Sequence, residues 1–254
     1  MTANDIYMFL EQIAPFKYQE SYDNSGFLIG DKDAEITGVC LCLDITLDVI
    51  NEAASKNANL IVSHHPVIFK AVSSIKAQTP VHEMIKNNIS AICAHTNFDV
   101  AVMSDIMLDL LDFPHGGEVI EATSPDGAGS GKITDLKQDI TPEELACKCK
   151  ESFKCPALRY FDGGKPIRRA GVCSGAGGSV FDLAVSKNCD AFITGEVKHS
   201  HWIDAENNGV TLIEAGHYYT ERPFCDFLLK RMNENFPSLC IFIAESGRDF
   251  CKYI

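Results

Sequence analysis

No apolar run in the 254 residues approaches the ~20 residues of a membrane-spanning helix, and no C-x-x-C pair occurs. Basic residues are scarce: 22 Lys and Arg face 35 Asp and Glu, for a net charge of −13. A protein that neutralises many phosphates carries a basic face. The nearest approach to one is Lys165, Arg168 and Arg169, so the composition argues against nucleic acid as the main partner. The N-terminus, Met1-Thr-Ala-Asn-Asp5, lacks the basic and apolar regions of an export signal, and cytoplasmic residence is expected. Two glycine clusters fall short of nucleotide-binding loops. Gly127-Ala-Gly-Ser-Gly131-Lys132 has Asp126 where a P-loop needs Gly and Ile133 where it needs Ser or Thr. The 171–180 stretch ends on Val180 and so is not G-x-G-x-x-G, although the amides of its glycines could cradle an anion. Neither supports a dinucleotide or NTPase reading, and there is no Ser nucleophile elbow.

What is there is an ordinary globular composition, 46% apolar and 22% charged. A chain of this length buries roughly 70–75% of the surface of its unfolded form and needs no covalent staples. Cysteine is abundant: Cys40, Cys42, Cys93, Cys147, Cys149, Cys155, Cys173, Cys189, Cys225, Cys240 and Cys251. The number is odd, and several lie inside apolar runs such as Val39-Cys40-Leu41-Cys42-Leu43. They read as reduced structural thiols. The two residues of a C-x-C pair share one face of a strand and do not form a zinc knuckle.

Helical and strand patterns alternate from end to end, which argues an α/β architecture. Helices are expected over 3–13, 46–57, 80–88, 101–112, 141–152 and 198–206. Strands are expected over 36–43, 59–63, 89–94, 169–173, 190–194, 210–214 and 239–243, the last four forming a second α/β run. Thr141-Pro142-Glu143-Glu144 is a cap-and-first-turn signature. Between them, 113–140 is rich in turn formers and is expected to be a crossing between two lobes.

Four segments at strand ends could carry chemistry. Ile61-Val-Ser-His64-His65-Pro66 places two adjacent histidines on opposite sides of an extended chain. They cannot readily grip one metal together, but each could hold one of two neighbouring metals; the plain alternative is a pair of polar turn histidines. In Cys93-Ala-His95-Thr96-Asn97-Phe98-Asp99, Asp99 is a candidate carboxylate ligand or the N-cap of helix 101–112. His95 could ligate, support a ligand or move protons. In Ala215-Gly216-His217-Tyr218-Tyr219-Thr220-Glu221-Arg222-Pro223, Pro223 belongs in a helix's first turn. That makes Thr220 the expected N-cap, puts His217 in the loop before it, and sets Glu221 at the first helical position, where it could bridge two cations. The alternative is an ordinary capped helix start. His199 and His201 follow Thr194-Gly195-Glu196 and diverge if 198–206 is helical, so they read as pocket-wall or surface residues. His64, His65, Asp99, His217 and Glu221 together form an all-N/O donor set suited to Zn, Mn, Fe or Ni, with coordination positions left open.

Five segments together resemble a known family: Asp23-Asn24-Ser25-Gly26-Phe27-Leu28-Ile29-Gly30, His64-His65-Pro66-Val67-Ile68-Phe69, His95-Thr96-Asn97-Phe98-Asp99, Thr194-Gly195-Glu196 and Gly216-His217-Tyr218-Tyr219-Thr220-Glu221. They occur in the order and spacing of the NIF-three-like dinuclear-metal proteins, often labelled GTP cyclohydrolase 1 type 2 homologues. The resemblance implies two similar α/β lobes with mixed sheets and a dimetal site in the cleft between them. The first lobe would span 1–125, open to completion by C-terminal residues, and the second 126–254. By motif position, His64 and His217 would hold one divalent ion, His65 and Asp99 the other, and Glu221 would bridge them. His95 matches a site histidine that is not a main ligand. A toroidal homohexamer is also implied. Some relatives carry a large insertion between the lobes, where this chain has only its glycine-rich 124–132 segment. The function expected is a metal-dependent hydrolase of a small molecule, with His95 as the catalytic proton shuttle. The competing readings are a metal- or metabolite-binding protein without turnover and an interaction scaffold.

Overall fold

Short, continuously apolar runs make the central strands. Val39–Cys42 (β2), Leu60–Ser63 (β3) and Ser90–Cys93 (β4) are buried at every position, as strands covered on both faces must be. In the computed structural model, which describes residues 1–254, they lie parallel, Leu60 opposite Val39 and Leu60 opposite Ser90. Gly26–Ile29 (β1) pairs antiparallel with β4, and Ile241–Ile243 (β11) runs parallel beside β2. The sheet order is β1-β4-β3-β2-β11. Helices Ala3–Ile13 (α1), Leu47–Ser55 (α2), Pro80–Lys86 (α3) and Thr96–Phe98 (α4) belong to the same unit. That compact unit comprises Met1–Phe98 and Phe224–Phe250. Its core gathers Val49, Ile50 and Ala53 of α2, Cys40 and Cys42 of β2, Ile61 of β3 and Met84 of α3.

The second unit comprises Asp99–Pro223 and Cys251–Ile254. It begins with a π turn, Asp99–Met103, and helix Ser104–Leu110 (α5). Its sheet holds Glu118–Ala122 (β5), Gly129–Ile140 (β6), Arg159–Phe161 (β7), Ile167–Cys173 (β8), Ala191–Thr194 (β9) and Thr211–Glu214 (β10). The order is β5-β6-β8-β9-β10-β7, with β8, β9 and β10 parallel and the other pairings antiparallel. Both sheets are therefore mixed. Helices Pro142–Ser152 (α6), Phe181–Ser186 (α7), His199–Asn208 (α8) and His217–Glu221 (α9) complete the unit. Pro223–Asn235 (α10) follows, its residues from Phe224 onward in the first unit. No helix is long and apolar enough to cross a membrane.

One device recurs in both units. Asn57, Asn88, Asn188 and Gly209 each take a positive φ just after a helix. The next residue then donates back across the turn, as in Ala58 N–H to Ala53 O, Ile89 to Met84, Cys189 to Ala184 and Val210 to Ala205. Each helix end is thus turned directly into the following strand. Asn is tolerated in this left-handed conformation, and Gly is free of its Cβ cost.

The structure departs from the sequence reading at four places. The turn-rich stretch after 113 is not a crossing: β5 and β6 form a hairpin, and its glycines allow close packing. A Cβ on Gly129 would stand 1.9 Å from the Glu121 carbonyl oxygen. The compact units divide after Phe98, with Phe224–Phe250 returning to the first, where the resemblance implies a first lobe of 1–125 open to completion by C-terminal residues. The strand read near 239–243 joins the first sheet rather than a second α/β run. Finally, β1, β5, β6 and β7 carry too much polar or glycine sequence to declare themselves; β7 is only Arg159-Tyr160-Phe161.

The thiols are free, and Cys40, Cys42, Cys93, Cys149, Cys155, Cys189 and Cys225 are buried. Burial pushes the Cys40 and Cys189 thiols up to about 12, so they are unreactive packing groups.

Candidate metal centre

In the first unit, parallel strands deliver histidines at their C-terminal ends, where α/β sheets bind ligands. His64 and His65 follow β3, and His95 follows β4 by one residue. One ring nitrogen from each of the three lies within 4.8 Å of the others, a grouping able to hold a metal ion. The ring centroids are 5.1 Å apart for His64 and His65, 5.2 Å for His64 and His95, and 5.5 Å for His65 and His95. His64 is fully buried, its ring packed 5.1 Å from Phe224 and 6.5 Å from Phe98.

Each ring is held through Nδ1. That atom lies 2.9 Å from the Ala94 carbonyl in His64, 2.9 Å from Asp44 Oδ1 in His65, and 2.8 Å from Asp23 Oδ1 in His95. A carbonyl accepts and never donates, and an ionised carboxylate does the same. Nδ1 therefore carries the hydrogen, and in the neutral ring Nε2 carries the lone pair. Oxygen acceptors behind the rings are the arrangement that orients metal-binding imidazoles and raises their basicity.

In the second unit, Gly216 at φ +91° turns the chain into α9 one turn earlier than expected. Thr220 is consequently inside the helix and is not an N-cap. His217 opens α9 and Glu221 closes it, so they share one face, with Nε2 and Oε2 3.1 Å apart. His217 Nδ1 lies 3.1 Å from Glu196 Oε2, repeating the pattern of the first unit. The Thr220 hydroxyl accepts the Gly175 N–H and donates to the His217 carbonyl. Gly175, at φ +57°, leaves room for Glu221: a Cβ there would stand 2.1 Å from Oε1. Glu221 is buried.

Asp99 is not the cap of helix 101–112. A helical turn already starts at Thr96, three residues earlier, and Asp99 opens the π turn that follows. Its Oδ1 accepts from the Ser174 hydroxyl at 3.2 Å. Burial, with the negative charges of Asp99 and then Glu221, pushes the Cys173 thiol up to about 12. Both carboxylates therefore act on one neighbourhood of this unit.

His199 is exposed, and His201 accepts the Lys198 N–H through Nδ1, helping to start α8. Neither joins a group able to hold a metal. The glycines of 171–178 serve packing: a Cβ on Gly177 would meet Thr194 Oγ1 at 2.5 Å, and one on Gly178 would meet His201 Cε1 at 2.6 Å.

The profile of Duf34/NIF3 (NGG1p interacting factor 3) matches residues 1–248. The chain belongs to the Duf34/NIF3 family. A Campylobacter jejuni protein named GTP cyclohydrolase 1 type 2 homolog is 35% identical over 98% of this chain and 99% of its own length. One of the same name from Clostridium acetobutylicum is 33% identical, over 91% of this chain and 90% of its own. The crystal structure of a Staphylococcus aureus hypothetical protein superposes with a TM-score of 0.89 at 28% identity, covering 100% of this chain and 99% of that one.

The sequence alone assigns no role to three anchoring residues: Asp23, Asp44 and Glu196. Asp23 and Glu196 lay inside motifs already singled out. Asp44 stands two residues past β2, and attention to carboxylates at strand ends would have found it.

Proposed function

We propose that this NIF3-family protein is a dinuclear-metal hydrolase of a small molecule. The observation that carries the reading is the repeated Nδ1 anchoring: four histidines, all at or just past the C-terminal ends of parallel strands, each rest Nδ1 on an oxygen, the arrangement that orients a metal-binding imidazole. With Asp99 and Glu221 they make a nitrogen–oxygen donor set that fits Zn, Mn, Fe or Ni.

In this proposal His64, His65, Asp99, His217 and Glu221 would together hold two divalent ions, with Glu221 serving both. When bound, the ions supply Lewis acidity at the bond under attack. His95 takes a proton at Nε2 and passes it to the leaving atom. Ala94, Asp44 and Glu196 keep the ligand rings from turning. The name shared by the relatives makes GTP the first substrate to try. The hexamer implied by the sequence resemblance is part of the proposal, and mass measurement in solution tests it.

The test pairs metal analysis of the purified protein with a hydrolase screen that includes GTP. Two ions per subunit and turnover lost on chelation are the expected results. Two ions with no turnover on any substrate class would leave a metal- or metabolite-binding protein instead.

A second reading has a specific observation behind it. His95 belongs to the same group of three nitrogens as His64 and His65, which suits a third imidazole ligand. Metal content of a His95 variant separates the two.

A further inference from the structure

The Asp23-Asn24-Ser25 segment does more than rest one oxygen on His95: it is wired into the histidine cluster at several points. The Asp23 side chain is 0% exposed, whereas the Asp44 and Glu196 side chains that hold His65 and His217 are 41% and 60% exposed. Its Oδ1 accepts from His95 Nδ1 at 2.8 Å. Its Oδ2 accepts the Ser25 hydroxyl at 2.6 Å, the Thr96 hydroxyl at 2.6 Å and the Thr96 backbone N–H at 3.2 Å. The Ser25 oxygen in turn accepts the His95 backbone N–H at 3.2 Å. Asn24 Nδ2 donates to the Ile68 carbonyl at 2.5 Å, which ties down the loop carrying Phe69. The Phe69 ring centroid lies 6.3 Å from that of His95.

We propose that Asp23 is a positioning residue that locks His95 in the Nδ1–H tautomer, so that Nε2 holds the lone pair that takes the proton. This rests on His95 as the proton-transfer group. The Nδ1 hydrogen stays on the ring throughout. Nε2 receives the proton lost by the attacking water and gives it to the leaving atom, while Asp23 keeps its charge and stabilises the transient imidazolium. Asp44 and Glu196 hold their rings from exposed positions. The buried, fourfold-bonded Asp23 stands behind the one histidine assigned to proton transfer.

Asp23→Asn makes the sharp test. The Thr96 backbone N–H is a fixed donor and demands an oxygen at the Oδ2 position. The amide NH2 must then face His95 Nδ1, which can only accept from it. The ring is forced into the Nε2–H tautomer, unable to take a proton.

The probe is zinc-loaded protein labelled with 15N in histidine, with the His95 signal identified by its loss in His95→Gln. Wild type should show a protonated Nδ1 and an Nε2 without zinc; Asp23→Asn should show a protonated Nε2 with zinc content unchanged. Where turnover is measurable, kcat of the variant should fall by about 10²–10⁴. A wild-type Nε2–H, a zinc-bound His95 Nε2, or a retained Nδ1–H in Asp23→Asn would each overturn the inference. The wild-type spectrum decides even if the variant does not fold. Absence of turnover in wild type strikes the hydrolase reading and leaves the tautomer assignment to the spectrum.

Discussion

In the first unit three imidazoles gather at the ends of two adjacent parallel strands, backed by a carbonyl and two carboxylates. In the second, one imidazole shares a helix face with a buried carboxylate, and Asp99 stands at a π turn. One unit is rich in nitrogen donors and the other in oxygen donors. The sheets use the same architecture for both, a parallel centre with strand-end loops, so the difference comes from loop sequence. It also extends to construction: the second unit is almost one continuous stretch, and the first is closed by a segment returning from the C-terminus.

The largest effect should come from the oxygen-rich side. Glu221→Ala is expected to take metal content from about two ions per subunit to near none, because its carboxylate serves both ions in the proposal. Retention of one tightly bound ion, measured by elemental analysis, would mean that the nitrogen-rich unit binds metal alone.

His95→Ala should behave in the opposite way. Metal content stays near wild type, while metal-dependent turnover falls by about 10²–10⁴. Metal and rate measured on one sample decide the point; a parallel loss would make His95 a ligand.

Asp99→Asn should weaken one metal site and leave thermal stability nearly unchanged. The amide can keep the contact with Ser174 but loses the charge that offsets a divalent cation. Equal metal affinity in the two proteins would remove Asp99 from the ligand set.

The anchoring carboxylates offer a finer comparison. Asp44→Asn and Glu196→Gln should each lower metal affinity, within the roughly 10–100-fold range typical for groups behind a ligand. Glu196, the more exposed, should sit at the lower end. Competition with a chelator measures both, and a larger loss for Glu196 would reverse the ranking.

The smallest effect concerns closure of the first unit. Glu52 Oε1 accepts from Lys56 at 2.8 Å and the Glu245 N–H at 3.0 Å, and Oε2 accepts from the Ser246 N–H at 2.9 Å and hydroxyl at 2.6 Å. Burial pushes its carboxyl up, but the bonds from Lys56 and Ser246 outweigh this and hold it down to about 2. A carboxyl whose folded pKa is depressed stabilises the fold above its unfolded value and loses that stabilisation as pH falls through the folded one. Glu52→Gln should therefore cost about 1–3 kcal/mol at pH 7. The gap from wild type should close between about pH 4.5 and 2, where unfolding curves would show it. A pH-independent gap would mean that packing, not charge, holds the returning segment.

Much of this was legible in the chain because it is written locally. Helix 3–13, the capping box at Thr141 and Glu144, and the buried strands at 60–63 and 191–194 follow from periodicity and caps within a few residues of each other. The histidines and acids of the site could be named because motif order survives in sequence. Hairpin β5–β6 was hidden, since glycine in a strand looks like glycine in a turn until a neighbouring carbonyl stands against it. Residue order alone also could not tell that His217 and Glu221 share a helix face; the φ of Gly216 decides where that helix starts.

The sequence by itself determined the class of the fold, the family motifs and the donor types. Only the tertiary structure decided which nitrogen of each histidine is committed, because that depends on oxygens brought from as far as 72 residues away, as Asp23 is to His95. A motif records which side chains are present. The proton on a ring is set by what the fold places behind it.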